Sequence, residues 1–134
     1  MVTGLSERTF RRCLQWVAVS LAVGLPLGLF IGGAQPVAVG LVPPPWDKLM
    51  HAIVFTVLAT AIGYASGLRG RVMLAVAFCC AVAVGALDEW HQMYLPGRSA
   101  GWDDLAADAV GSALGTVLLS RRKRLQARHR ITPH

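Results

Sequence analysis

The chain has 134 residues and a formal net charge of +6, which is one domain's worth of protein. Hydrophobic residues make up 54% and charged residues 15%, where soluble domains carry about 25% charged, so a chain this short has too little interior to hide its apolar side chains from water. That composition excludes disorder, and three cysteines, Cys13, Cys79 and Cys80, are too few for a disulfide scaffold. Adjacent Cys79 and Cys80 lie in an apolar run and read as small packed side chains.

Residues 14–34 carry no charge and follow Arg8, Arg11 and Arg12, which predicts a first helix over about 13–34. A second, over about 48–68, is interrupted only by His51 and small hydroxyl residues. Residues 72–87 are apolar and continue through Asp88 to Tyr94, giving a third helix, 72–94, with a polar end. Residues 105–120 predict a fourth over about 103–120, followed by a basic tail, 121–134. A bilayer crossing takes about 17 to 25 residues. All four therefore read as transmembrane helices of a single all-α domain, 1–134. Pro43-Pro44-Pro45 makes a stiff approach to the second helix.

Lys and Arg collect on the cytoplasmic side of membrane proteins. With both termini cytoplasmic, Arg8, Arg11, Arg12, Arg69, Arg71, Arg121, Arg122, Lys123, Arg124, Arg128 and Arg130 all fall inside, leaving only Lys48 and Arg98 outside. Gly32 and Ala34 have the small side chains of a signal-peptidase site. The apolar run before them, however, exceeds the roughly 7–15 residues of a signal h-region, and Gly24, Gly28 and Gly32 form a ladder suited to helix packing. The first helix is therefore read as retained. The basic tail reads as a topology anchor drawn to anionic lipid. It lacks the folded basic face with base-reading groups that nucleic acid requires, so no nucleic-acid partner is expected.

All the acids except Glu7 lie toward the opposite helix ends: Asp47, Asp88, Glu89, Asp103, Asp104 and Asp108, with Lys48, His51, His91, Gln92 and Arg98. Asp47 and His51 are four apart, on a face that continues through Phe55 and Leu58, and that spacing suits an imidazole paired to Asp47. Ala77, Ala81, Gly85, Asp88 and Gln92 form one stripe on the third helix; Asp104, Asp108, Gly111 and Gly115 form another on the fourth. Small residues mark faces where membrane helices approach, so these stripes are expected to turn inward and bring their polar tops together.

His51 and Asp108 lie about one turn into their helices, where an unpaired charge is costly. With Asp88 and Asp104 they are the candidate catalytic residues, and Asp47, Lys48, Glu89, Gln92 and Arg98 the candidate binding residues. Plainer readings exist for each. Asp47 and Asp103 can act as helix caps, Glu89 and His91 can face headgroups, and Trp46, Trp90, Tyr94 and Trp102 can form an interfacial belt. The whole set can also be a buried network that holds the bundle together. Its donors suit a divalent cation, but no HExxH or comparable ligand motif accompanies them, and no metal is assigned.

Through Asp47-Lys48-x-x-His51-x-x-x-Phe55, Asp88-Glu89-x-x-Gln92, Pro96-Gly97-Arg98 and Asp104-x-x-x-Asp108-x-x-Gly111, the sequence resembles the VanZ-like family of small membrane proteins, named for a teicoplanin-resistance protein. The resemblance covers about residues 47–115 and departs at Asp108, where the family pattern usually has Asn and this chain adds a negative charge. It implies a multi-pass protein of the bacterial cell envelope, in the cytoplasmic (inner) membrane, associated in some members with reduced susceptibility to lipidated glycopeptide antibiotics. It implies no particular reaction.

Three functions then compete. An outward-facing site can bind or modify the headgroup of a membrane lipid or a lipid-linked wall precursor. Arg98 would hold phosphate bidentately, and His51 with Asp88, Asp104 or Asp108 would handle protons or a divalent cation. A non-enzymatic pocket can instead bind lipid, a glycopeptide drug or a protein partner. Proton or ion movement through His51 and Asp108 is the third, disfavoured because the inner halves hold no matching relay. A nucleophilic enzyme is disfavoured too: Ser99 and Ser112 lack a nucleophile motif, and Cys79 and Cys80 sit deep in a helix.

Overall fold

Four long helices carry the chain in this computed structural model, which describes residues 3–98 and 100–131, with side chains over 6–98 and 100–122. They are α1 (Thr3–Leu27), α2 (Trp46–Ala65), α3 (Gly70–Gln92) and α4 (Trp102–Ile131). A π-helical segment, Gly28–Gly32, continues α1, and one 3-10 turn, Pro36–Ala38, lies in the loop before α2. Ser99 and residues 132–134 lie outside the described residues, as do the side chains of Lys123, Arg124, Arg128 and Arg130.

The breaks follow from local chemistry. Pro26 lies inside α1, and because it has no N–H the carbonyl one turn earlier loses its α-helical partner; the wider π turn begins two residues on. Gly67 and Gly70 take left-handed φ angles of +64° and +67°, conformations that only glycine adopts without strain, and they reverse the chain between α2 and α3. At the other extremity α4 continues past residue 120 through the basic residues to Ile131, where a tail was expected. Arg, Lys, Leu, Gln and Ala are strong helix formers, and neither Gly nor Pro interrupts them.

Among the described residues, three helical runs are long and apolar enough to cross a membrane: Ser6–Gly32, Trp46–Ala65 and Gly70–Gln92. α2 is central and packs against α1, α3 and most extensively α4, while α3 also packs on α4. In lipid there is no hydrophobic drive between helices, so close fit and hydrogen bonds must hold them. Gly111 and Gly115 supply the fit. A Cβ at Gly111 would collide with the backbone of Ala52, and one at Gly115 would lie 2.6 Å from the carbonyl of Thr56. Where the two helices meet, the Thr56 hydroxyl lies 3.0 Å from the Gly111 carbonyl. Phe55, Leu58, Ala59 and Ala81 form one buried cluster, and Met73, Ala77 and Leu119 another.

The expected inward stripes are therefore present, since Ala77, Ala81, Gly85, Asp88 and Gln92 are all buried on α3 and Asp108, Gly111 and Gly115 on α4. Two expectations fail. The ladder of Gly24, Gly28 and Gly32 has nothing within 4 Å of where a Cβ would stand, because α1 and its π-helical continuation turn Leu25 and Leu29 toward the core instead. Cys79 and Cys80 are exposed rather than packed, because the buried stripe Met73-Ala77-Ala81 puts them on the outward arc of α3.

Candidate functional site

The first turn of α2 places Asp47 and Lys48 beside the first turn of α4. The Lys48 ammonium lies 3.0 Å from Asp47 Oδ2 and 2.9 Å from Asp103 Oδ2, and it also donates to Asp104 Oδ1. An ammonium has three N–H donors, and three carboxylates meet them. Lys48 thus acts as a clasp between α2 and α4. Asp47 additionally accepts the Lys48 backbone N–H at 2.8 Å through Oδ1; it lies in the first turn of α2, where Pro45 is the N-cap, and it is not the partner of His51.

One turn deeper, His51 Nδ1 lies 2.8 Å from Asp108 Oδ1. This corrects the Asp47–His51 pairing: the two share a helix face, but a carboxylate from the facing helix, fully buried at 0% exposure, takes the imidazole. The His51 ring also stacks over Phe55, interplanar angle 6°. Asp108 fits because Gly85 of α3 has no side chain; a Cβ there would stand 2.6 Å from Asp108 Oδ2.

α3 contributes two more buried acids, Asp88 at 2% exposure and Glu89 at 8%. Asp88 Oδ2 accepts from Gln92 Nε2 at 2.9 Å, and Glu89 Oε2 accepts the Gly101 backbone N–H at 2.8 Å. Glu89 therefore does not face headgroups. The signal for it was in the sequence: Glu89 lies four residues after Gly85 and three before Gln92, on the same helix face. The Gly101 donor left no such trace. His91 is half-buried, its ring centroid 5.3 Å from that of Phe30.

Among the described residues, four buried polar atoms of this end have no hydrogen-bond partner: Asp88 Oδ1, Glu89 Oε1, His91 Nδ1 and Asp108 Oδ2. Arg98 has no hydrogen bond to them among the described contacts. Its Nε and Nη2 donate to the Gly33 carbonyl at 3.2 and 3.0 Å, tying the end of the π-helical segment to the turn after α3. Only its remaining N–H groups are left for the phosphate-holding role read from the sequence. Trp46, Trp90, Tyr94 and Trp102 are all exposed, as a belt requires.

Potential metal donors converge at one place. A ring nitrogen of His51 and one carboxylate oxygen each from Glu89 and Asp108 lie within 4.8 Å of one another. One helix supplies each ligand, so the packing of α2, α3 and α4 alone assembles the group.

Helices of membrane length around a half-buried imidazole and buried carboxylates define an integral membrane protein with a polar cluster at one end of its bundle. Within that class, the family model of VanZ/LLP1 matches residues 6–123, and the chain belongs to that family. The family match extends well beyond residues 47–115 and takes in α1. No curated protein and no solved structure matches the chain.

Proposed function

We propose that this is a four-span protein of the bacterial cytoplasmic membrane, with both termini in the cytoplasm, and that its polar end faces outward to bind or modify the headgroup of a membrane lipid or a lipid-linked wall precursor. The distribution of Lys and Arg supports the orientation. The reach of α4, 30 residues, supports a fourth span despite its acids.

The observation that carries the reading is the set of unpartnered acceptors, Asp88 Oδ1, Glu89 Oε1 and Asp108 Oδ2. Buried acceptors without donors are costly, and the hydroxyl or ammonium groups of a headgroup are donors of the required kind. The neighbouring aromatics are suited to the headgroup level. Occupying or altering an outer-face lipid would change how a lipidated glycopeptide reaches its target, which links the site to the resistance associated with some family members. The saturated Lys48 favours a second role for part of the cluster, that of a clasp holding α2 to α4.

The test is to incubate purified protein with envelope lipids and lipid-linked wall precursors and analyse products and retained lipid by mass spectrometry, alongside His51→Ala, Asp88→Ala, Arg98→Ala and Asp104→Ala. Turnover lost in the variants establishes modification. Retention without product, also lost in the variants, establishes binding. Folded wild-type protein that does neither sinks the reading and leaves a structural network.

A further inference from the structure

We infer that His51, Glu89 and Asp108 hold a single divalent cation of the first transition row. One imidazole and two carboxylates are donors for Zn2+ or Mn2+ rather than an all-oxygen set for Ca2+ or Mg2+. Their ligand atoms already lie within 4.8 Å of one another. Three atoms bound to a common tetrahedral Zn2+ at about 2.0–2.2 Å stand about 3.3–3.6 Å apart, so side-chain adjustments of about an ångström bring the three onto one ion. His51 Nδ1 and Asp108 Oδ1, at 2.8 Å, need only to open by about half an ångström to share an ion in place of their hydrogen bond.

The burial argues independently for a ligand. Asp108 is fully buried with Oδ2 unpartnered, and Glu89 is 8% exposed with Oε1 unpartnered. The nearby described cations are engaged elsewhere: Lys48 by Asp47, Asp103 and Asp104, and Arg98 by the Gly33 carbonyl. Glu89 and Asp108 thus have only His51 among their described hydrogen-bond or ion-pair side-chain partners, and buried carboxylates with free oxygens require compensation. A divalent ion supplies it. Gly85 keeps the space beside Asp108 Oδ2 that a methyl group would fill. Three protein ligands leave at least one coordination position open, the arrangement of reactive rather than purely structural metal sites. The ion site stands on protein atoms alone; that a headgroup oxygen fills the open position rests on the reading proposed above.

The experiment uses tag-free full-length protein with Cys13, Cys79 and Cys80 replaced by Ser, so that thiols cannot contribute. It is purified in a neutral detergent without phospholipid, stripped with chelator and titrated with Zn2+ and, separately, Mn2+. One ion per chain is expected, with affinity for it weakened at least about tenfold in His51→Ala, Glu89→Gln and Asp108→Asn. X-ray absorption of the Zn2+-loaded protein should show nitrogen and oxygen neighbours at about 2.0–2.2 Å, a measurement that decides the matter even if a variant fails to fold. Folded protein that takes up neither ion stoichiometrically, or binding indifferent to all three substitutions, overturns the proposal. Lipid retention is then measured with and without Zn2+. Metal uptake without retention of any headgroup leaves the cation site standing and sinks the lipid reading, whereas retention without metal uptake does the reverse.

Discussion

At the basic end of the bundle Met73 and Ala77 of α3 close on Leu119 of α4, with Ile62, Tyr64 and Leu74 packed around them, and Leu119 fills the space that Gly63 leaves open. Near its rim the Arg122 guanidinium sits 5.3 Å over the Tyr64 ring and donates to its hydroxyl. At the polar end the same three helices bring together Lys48, His51, Asp88, Glu89, Asp104 and Asp108. One end is held by shape and the other by directional bonds between helices. Apolar packing tolerates substitutions that conserve volume, whereas hydrogen bonds between His51 and Asp108, or Lys48 and Asp104, exist in one register only. The polar end therefore fixes how the helices are rotated, and the small residues along α3 and α4 let them come close enough for those bonds to form.

If close approach is what assembles the site, blocking it should do the most damage. Gly111→Ala puts a methyl group into the Ala52 backbone, which cannot retreat without separating α2 from α4. A loss of about 1–3 kcal/mol is expected, read as a lower thermal unfolding midpoint in detergent, together with loss of whatever the polar end binds. Gly111→Ala at wild-type stability would mean that the α2–α4 interface is looser than described.

Asp108→Ala comes next. It removes the partner of His51 and opens a void beside Gly85, so a cost of about 1–3 kcal/mol is expected, smaller in effect on the helix packing than the glycine change because no backbone is forced apart. Ligand binding should fall together with stability here. Lipid retention or metal uptake that survives Asp108→Ala would separate the site from the cluster.

What could be read beforehand differs between the two ends for a physical reason. Helical periodicity specifies which residues share a face, and it gave the buried stripes on α3 and α4 and the shared face of Asp47, His51, Phe55 and Leu58. It does not specify where a facing helix stands in height, so it could not tell whether His51 meets Asp47 one turn away or Asp108 across the interface. The facing-helix contact prevailed because Lys48 and its own backbone N–H occupy Asp47. The plainer reading of Glu89, facing headgroups, follows from its position next to the interfacial residues, whereas its spacing from Gly85 and Gln92 places it inward, where it is buried. Arg98 could not have been foreseen on the Gly33 carbonyl, because a backbone acceptor from a segment 65 residues away leaves no mark on the sequence.

Lys48→Met sharpens the electrostatic half of the comparison. Without the ammonium, Asp47, Asp103 and Asp104 repel one another across the α2–α4 gap. The unfolding midpoint should fall at low ionic strength and recover part of the loss at about 0.5 M salt, where the Debye length has shrunk to a few ångströms. The wild-type protein should respond to salt much less. Equal salt responses would show that Lys48 is not the clasp.

The smallest effect is expected on α1 and its π-helical continuation, where Gly24, Gly28 and Gly32 have the spacing of a packing ladder and yet an added Cβ at any of them would meet nothing within 4 Å. The comparison with Gly111 is direct, since both are helical glycines in small-residue stripes and only one has a helix against it. Gly24→Ala adds a methyl group to open surface and removes glycine's backbone freedom from a helix, so stability should stay level or rise by about 0.5–1 kcal/mol. Thermal unfolding of Gly24→Ala and Gly111→Ala side by side gives the contrast its sharpest form. If the two substitutions cost the same, spacing alone governs the packing of small residues in this chain, and the exposed face of α1 must be covered by something in the membrane. If Gly24→Ala is neutral or stabilising while Gly111→Ala is not, then a facing backbone is what makes a glycine indispensable, and α1 with its π-helical continuation docks on the bundle through side chains such as Leu25, Leu29 and Phe30 rather than through its glycines.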